Sequence, residues 1–379
     1  MRFSAHLSEL IKQFREVAKI ASGSGKKNDD ITLNVLLKIH EKTLTIKATD
    51  YSIELEASIP LTDVQEEGVV TVNATKLIDV CSRNSSAENV QFYTDENRGV
   101  LIINADNTVY EIRTRSASEF PSFTDEDDFQ SVVLSQKQLK KLIDLSVFCV
   151  SNEDFRDYLK GVRFEAEGST LSVFSSDAHR MAMLETQLAK PIEQPIGALI
   201  SKNGTEQISS IIDGNSDATV ELKFAKNSVS VNCNGYSLKT KLIVVPYPNV
   251  RTALPSNFSN EVIVDRARFI ELINRVSVLS TKRVKGITFL FSDGKCDFKS
   301  ENSEHEVATH SEKISFSGAP IEITLNHTFV NDCLSHLSSD EVRIKFDEPL
   351  KGVVISPVPK QDPTPTDIQT EYVISRIIV

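Results

Sequence analysis

One stretch in the middle of the chain contains the residue types that hydrolases use. Ser176-Asp177-Ala178-His179 places a hydroxyl, a carboxylate and an imidazole within four positions. A serine triad needs three groups that converge from separate parts of the fold, and the sequence has no G-x-S-x-G turn to expose a nucleophile. We interpret the stretch as a strand end with one partly buried histidine. The alternative, a hydrolase that uses His179, lacks a nucleophile.

A second group of residues has the types found in metal sites. His305-Glu306 and His310 resemble a zinc-protease motif, but the histidines are five positions apart and lie in a strand-like alternation. They would not share one helix face as that motif requires. Phosphate-binding glycine motifs are also absent from the sequence. We therefore predict no metal, no cofactor and no enzymatic activity.

Cysteine usage indicates the compartment. The five cysteines are odd in number, widely spaced and contain no C-x-x-C pair, which is typical of buried thiols in a reducing environment; they are Cys81, Cys149, Cys233, Cys296 and Cys333. No apolar run is long enough to span a bilayer. We predict a cytoplasmic protein with no membrane association.

An internal repeat positions all of these residues. Helical patterns with a polar cap begin near Ser8, Ser135 and Asp265, at spacings of 127 and 130 residues. A second set is capped by Asn73, Ser201 and Asn326, at spacings of 128 and 125. Alternating strand patterns lie between the two helices of each copy. The sequence therefore predicts three copies of one α+β domain, with boundaries at 1–125, 126–254 and 255–379.

Charge is distributed unevenly between helices and the rest of the chain. The six predicted helical segments carry a net charge of +3. Because the net charge of the whole chain is −11, the remaining residues carry −14. A basic surface could hold a phosphate backbone loosely without reading bases. Ordinary solvated helix faces would look the same. The candidate residues are Lys12, Arg15, Lys19, Lys26, Lys27, Lys76, Lys137, Lys140, Lys141, Lys202, Arg266, Arg268 and Arg275.

Over nearly its whole length the chain resembles the bacterial β sliding clamps, the beta subunits of DNA polymerase III. The most specific stretches are Tyr158–Gly161, Ser176–Ala182 and Tyr247–Arg251. The resemblance implies a DNA-clamp fold of three domains, with helices lining a central hole and antiparallel sheets outside. It further implies a head-to-tail homodimeric ring that encircles duplex DNA without sequence specificity, as the non-catalytic processivity factor of the polymerase.

The resemblance also implies a pocket between the second and third domains that binds short linear peptides. The implied partners are the polymerase III alpha subunit, the clamp loader delta subunit, other polymerases and mismatch-repair proteins. Apolar side chains would bury the peptide while His179 and Arg180 anchor it. Plain core packing is the alternative for Leu159, Met181 and Val373. The implied pocket residues are Leu159, Ser176, Ala178, His179, Arg180, Met181, Pro248, Val353, Val373 and Ile377.

The C-terminus and the subunit seam complete these expectations. Where the family usually ends in Met-Pro and an aliphatic residue, this chain has Ser375-Arg376-Ile377, which adds a cation to the pocket floor. Tyr110 and Ile112 match positions that pack on Val278 and Leu279 of a partner subunit; packing within one chain is the alternative. A scaffold that binds peptides without encircling DNA is the competing function, and it would be indifferent to the helix lysines.

Overall fold

The structure is a computed structural model of the 379-residue chain. It describes all residues except 22–29, 88, 125, 152, 254–257, 281–284, 348–351, 360–363, 365–366 and 378–379. The predicted DNA-facing residues Lys26 and Lys27 and the predicted boundary between 254 and 255 therefore lie outside the described residues. No helix of the described part is long and apolar enough to cross a membrane.

The first third of the chain forms short antiparallel strands and two helices. Its elements are β1 (Arg2–Ala5), α1 (Leu7–Ala21), β2 (Asn34–His40), β3 (Thr43–Thr49), β4 (Ile53–Pro60), β5 (Asp63–Glu66), β6 (Gly68–Asn73), α2 (Ala74–Arg83), β7 (Val90–Asp95), β8 (Val100–Ala105) and β9 (Thr108–Arg115). Leu7, Leu10, Phe14 and Val17 recur at helical spacing along α1 and are fully buried, as expected of an amphipathic helix that packs on a sheet.

The middle third has a similar order of elements, and it also begins with a strand followed directly by a helix. Its elements are β10 (Phe129–Ser135), α3 (Gln136–Asp144), β11 (Gly161–Glu167), β12 (Thr170–Ser176), β13 (Arg180–Gln187), β14 (Ile196–Ser201), α4 (Lys202–Ser210), β15 (Thr219–Ala225), β16 (Ser228–Cys233) and β17 (Tyr236–Lys241).

The last third repeats it again. Its elements are β18 (Asn260–Asp265), α5 (Arg266–Val276), β19 (Gly286–Ser292), β20 (Lys295–Glu301), β21 (Val307–Lys313), β22 (Ile321–Asn326), α6 (His327–His336), β23 (Glu341–Phe346), β24 (Val353–Pro357) and β25 (Gln369–Ile374). The predicted α+β class and its threefold repetition are confirmed.

Sheets continue from one repeat into the next. One sheet runs in the order β10-β15-β16-β17-β4-β3-β2-β6-β9-β8-β7-β1-β5, a second runs β14-β11-β12-β13-β25-β24-β23-β18, and a third runs β21-β20-β19-β22. The chain accordingly separates into two compact units, Met1–Gln136 with Glu206–Leu242 and Lys137–Thr205 with Ile243–Val379. The middle repeat contributes strands to both.

Most predicted helix starts are correct, and one is wrong. The side chains of Asn73, Asp265 and Asn326 each accept a bond from a backbone N–H in the first turn of α2, α5 and α6. Ser8 is not a cap, because α1 begins at Leu7 and the Glu9 N–H donates to the carbonyl of His6. The apolar pattern starts with Leu7 itself, so the buried face extends the helix by one residue.

Candidate peptide-binding site

A tight turn joins β12 to β13 and carries four of the predicted pocket residues. The Ser176 hydroxyl accepts the Ala178 N–H at 3.0 Å, and Asp177 Oδ1 accepts the N–H groups of His179 and Arg180 at 3.0 and 2.9 Å. Ala178 has a φ of +71°, a conformation that is strained for any residue with a Cβ. The turn is thus fixed by its own side chains and leaves Ala178 and His179 exposed.

Arg180 is held by three protein groups. Its Nε bonds Asp177 Oδ2 at 3.0 Å, its Nη1 bonds Asp332 Oδ2 at 2.5 Å, and its Nη2 bonds the carbonyl of Phe148 at 3.0 Å. The side chain is only 11% exposed. A guanidinium has five N–H groups, so most of its donor capacity toward a ligand is already used.

Two phenylalanine rings contact the guanidinium of Arg180, and a histidine ring stacks on each of them. The guanidinium carbon lies 5.2 Å from the ring centroid of Phe148 and 4.7 Å from that of Phe329. His336 stacks on Phe148 at 3.9 Å, and His179 stacks on Phe329 at 6.2 Å. Cation–π contacts of this kind stabilise both the charge and the rings. We call these five side chains the Arg180 column.

Strand pairing brings further predicted residues to the same place. Met181 lies directly opposite Val373 in the β13–β25 ladder, and the Ser375 N–H donates to the His179 carbonyl at 2.8 Å. Met181 is buried and Val373 is half-buried. Val353 is 1% exposed and belongs to the core of the third repeat, so in this structure its packing is that of a core residue.

Leu159 and Pro248 lie on two neighbouring segments. The Leu159 carbonyl closes its loop by accepting the N–H of Ser151, and the Leu159 side chain is 4% exposed. Tyr247, which precedes the exposed Pro248, meets Tyr158 edge to face at 6.4 Å. Burial is the largest influence on Tyr247 and raises the pKa of its phenol. The two segments are therefore tied together next to Leu159.

Sequence reasoning missed the residues that fix Arg180. Phe148, Phe329 and Asp332 were not predicted, although all three touch its guanidinium. Phe329 and Asp332 are three positions apart and so share one face of α6. An aromatic residue beside the buried stripe of that helix was the only signal, and it does not reveal a partner 152 positions away.

The basic residues of the helices fall into two groups. Lys12, Lys76, Lys137 and Lys141 are exposed and form no ion pair with any other described residue. The remaining described ones interact within the chain: Arg15 with Ser82, Lys19 with Glu16, Lys140 with Asp144, Arg266 with the carbonyls of Leu334 and Ser339, Arg268 with Glu271 and Glu312, Arg275 with Glu271, and Lys202 through its backbone with Lys160.

The predicted seam residues differ in exposure. Val278 is 76% exposed, Leu279 is half-buried, and Ile112 is 5% exposed. The Tyr110 hydroxyl accepts a bond from Asn84 at 3.1 Å. The Ile112 side chain is thus buried within its own chain, whereas the apolar side chain of Val278 is exposed to solvent.

Other residues considered for chemistry have ordinary surroundings. All five cysteines are free and buried, and burial raises the pKa of the Cys81 and Cys296 thiols to about 12. His305 bonds Glu301 and His310 bonds Glu312. Within the described residues, no three His, Cys, Asp or Glu side chains are grouped as a metal would require.

Three α+β repeats whose antiparallel sheets continue through the junctions define a three-domain clamp. Comparison with protein families gives the same answer for each repeat. The N-terminal, central and C-terminal domain models of the DNA polymerase III beta subunit match residues 1–124, 133–249 and 251–370. The chain belongs to the DNA polymerase III beta subunit family, and its class is that of a DNA sliding clamp.

Individual relatives agree with this assignment. A beta sliding clamp of Vibrio cholerae is 28% identical over 348 residues, 92% of this chain and 93% of the relative. That of Escherichia coli K12 is 25% identical over 364 residues, 95% and 97% of the two chains. The crystal structure of the DNA polymerase III subunit beta from Pseudomonas aeruginosa covers 100% of both chains with a TM-score of 0.91 at 23% identity. The last comparison supports the fold.

Proposed function

We propose that two copies of this chain assemble head to tail into a ring that encircles duplex DNA. The ring is a non-catalytic subunit of the replicative polymerase in the cytoplasm and tethers polymerase, clamp loader and repair proteins through the pocket around Met181. The observation that carries the proposal is the pairing of strands across the junctions between repeats.

The two junctions have the same register. In one, Ile53, Leu55 and Ala57 of β4 lie opposite Thr240, Leu238 and Tyr236 of β17. In the other, Arg180, Ala182 and Leu184 of β13 lie opposite Ile374, Tyr372 and Thr370 of β25. These residues occupy equivalent positions of the repeats, because the strand ladders inside each repeat also match. The same strand pairing therefore joins one repeat to the next at both junctions.

Within the described part of the chain, two strands of the same kind lack this junction pairing. The counterpart of β4 and β13 is β21, which ends its sheet, and the counterpart of β17 and β25 is β9. Among the described residues, β9 pairs outside β8 only at Thr114 and Arg115. Unpaired strand edges favour association. A seam with the same register would pair Tyr110 with Ala308 and Val109 with Thr309 of a second copy, and Val278 and Leu279 would be further seam contacts.

A cross-linking experiment tests this register. Paired antiparallel residues have Cα atoms about 4.5–5.5 Å apart, which suits a disulfide. Val109→Cys combined with Thr309→Cys should give a covalent dimer on oxidation, while Val109→Cys combined with Lys313→Cys should not. Equal cross-linking of both pairs, or a strictly monomeric protein, would contradict the proposed seam. The buried native cysteines keep the background low.

Enclosure of DNA is tested by topology. A closed ring loaded on nicked circular DNA by a clamp loader and ATP should stay bound at high salt and be lost when the DNA is cut. Phosphate contacts do not depend on whether ends exist. Equal retention on circular and linear DNA would indicate a simple phosphate binder, and no retention on either would favour the peptide-binding scaffold.

Charge reversal at the exposed helix lysines distinguishes the sliding-clamp function from the peptide-binding scaffold. Changing Lys12, Lys76, Lys137 and Lys141 together to Glu should reduce loading on DNA and leave peptide binding unchanged. A variant with four charge reversals at exposed lysines of the strands and loops is the matched control. Unchanged loading of the helix variant would remove these residues from the proposed DNA-facing surface.

The pocket is tested by peptide binding. Val373→Glu should abolish binding of polymerase and clamp-loader peptides, because a carboxylate would enter an apolar wall. Ile263→Glu is the control, since Ile263 is a partly exposed aliphatic residue on β18 of the same sheet. If both variants bind peptide like the unmodified protein, the pocket lies elsewhere.

A further inference from the structure

The C-terminal segment after β25 crosses from one sheet to another. The Ser375 N–H donates to the His179 carbonyl, and two residues later the Ile377 N–H donates to the Thr324 carbonyl, both at 2.8 Å. Thr324 belongs to β22, which ends the third sheet. Arg376 lies between these two bonds, and its backbone is therefore fixed next to the turn that carries His179.

A second basic residue lies close to this segment. A Cβ at Gly286 would be 3.7 Å from Ile377 Cδ1 and 3.3 Å from Thr324 Cγ2, so the segment packs closely on the start of β19. Lys285 precedes that glycine, and its carbonyl accepts the N–H of His327 at 2.9 Å. Arg376 and Lys285 thus flank the same contact between Ile377 and Gly286.

Two basic side chains carry positive charge at this place. Arg376 and Lys285 are both exposed, and neither forms an ion pair with a described residue. The carboxylates of Asp177 and Asp332, beside the turn that carries His179, are paired with Arg180. Burial is the main cause that lowers the pKa of His327, and the charge of Lys285 lowers that pKa further, as a nearby cation does.

We propose that Arg376, assisted by Lys285, selects docking peptides that carry an aspartate or glutamate beside the apolar residues bound in the pocket. The inference rests on the proposed function of that pocket and adds the chemistry of its partner. Apolar surface at Val373 and Ile377 binds the hydrophobic part of the peptide. The two cations lie at its border, where complementary charge adds specificity and association rate.

The first junction shows that the backbone alone does not require this cation. Its equivalent segment is Lys241-Leu242-Ile243, and the Lys241 N–H donates to the Ser52 carbonyl at 2.8 Å, as Ser375 does to His179. The position of Arg376 is there occupied by Leu242. The arginine is therefore a property of the second junction, where the predicted pocket lies.

The probe is found without assuming a motif. An array of overlapping peptides from the polymerase and clamp-loader subunits of the same organism is screened against the full-length protein. The tightest binder is then resynthesised with each Asp or Glu changed to Asn or Gln. At one position, we expect the uncharged peptide to bind about threefold to tenfold more weakly at low salt. Arg376→Ala should remove that difference.

Charge exchange sharpens the test. Arg376→Glu should weaken the acidic peptide further and restore binding to the same peptide with Lys at that position, which a merely misfolded segment would not do. Lys190→Glu is the matched control, because Lys190 is exposed and makes no ion pair with a described residue. It should leave the preference unchanged.

The remaining outcomes are decisive. Equal binding of acidic and neutral peptides, or a preference that persists in Arg376→Ala, would overturn the inference while leaving the pocket intact. Displacement of the peptide by a single-stranded oligonucleotide through Arg376 would assign the cations to nucleic acid and also overturn it. If no array peptide distinguishes the unmodified protein from Val373→Glu, the pocket itself fails, and the inference fails with it.

Discussion

The chain makes the same turn twice, between β3 and β4 and between β12 and β13. Asp50 Oδ1 accepts the N–H groups of Ser52 and Ile53 at 2.9 and 2.7 Å, as Asp177 does for the two residues that follow Ala178. Tyr51 has a φ of +69° and Ala178 one of +71°. Each turn also accepts an N–H from the strand that joins the next repeat. The backbone therefore gives no reason for the two junctions to function differently.

Side chains make the difference. The first junction is polar, because Lys47 bridges Glu54 and Glu56. Phe123, in the linker between β9 and β10, donates its N–H to Glu54. Burial alone would lower the pKa of Lys47, but the two carboxylates more than offset it and raise that pKa. The ring of Phe123 lies 5.3 Å from Lys241 Nζ. The linker thus occupies the first junction.

At the second junction, the position of Glu54 is taken by Met181 and that of Ile53 by Arg180. Apolar surface replaces an ion-pair network, and the arginine is fixed by Asp177 and Asp332 from inside. The proposed docking site therefore lies at the junction where apolar side chains replace ion pairs, although the turn itself is the same at both junctions.

Removing Arg180 should have the largest effect. Arg180→Ala leaves Asp177 and Asp332 without their partner and separates the rings of the Arg180 column, so we expect the free energy of unfolding to fall by about 3 kcal/mol. Arg180→Lys should recover only part of this, because an ammonium cannot make the same planar contacts. Urea denaturation measures both.

Arg251→Ala is the control for that experiment. Arg251 is 51% exposed, pairs with Glu165 and lies 4.6 Å from the ring centroid of Phe174, so its removal should cost only about 1 kcal/mol. If Arg180→Ala costs no more than Arg251→Ala, the two arginines are equivalent and the Arg180 column has no structural role.

Much of the difference between the two junctions could not be predicted from the sequence. The repeat, the helix starts at Asn73, Asp265 and Asn326, and the strand ends follow from local patterns that the chain states three times. Pairing of Arg180 with Asp332 joins residues far apart in sequence. No periodicity encodes such a contact, because it depends on how two packed repeats meet. The predicted cap at Ser8 is wrong for a different reason. The prediction followed the polar residue type of Ser8, whereas the helix begins one residue earlier, at the buried Leu7.

The turn aspartates should give the next largest effect. Asp50→Ala and Asp177→Ala each remove an acceptor for two backbone N–H groups, which we expect to cost about 1–2 kcal/mol. Asp177→Ala should cost about 1 kcal/mol more, since it also loses the contact with Arg180. Asn at either position keeps the acceptor and is the control. Equal losses for the two alanine variants would mean that Arg180 gains nothing from Asp177.

The smallest effect should come from the strained residue of each turn, and it should be a gain. A left-handed φ costs a residue with a Cβ about 1 kcal/mol relative to glycine, although glycine also increases the entropy of the unfolded chain. Ala178→Gly sacrifices a single exposed methyl group and should raise the free energy of unfolding by about 0.5 kcal/mol. Tyr51→Gly relieves the same strain but loses a ring that is 52% exposed, so its net gain should be nearer zero. Urea midpoints of the two variants, with Lys190→Gly as a control for glycine at an exposed site, measure the difference. A loss of stability in Ala178→Gly would show that the methyl group makes packing contacts that outweigh the strain, and the second turn would then be the better packed of the two.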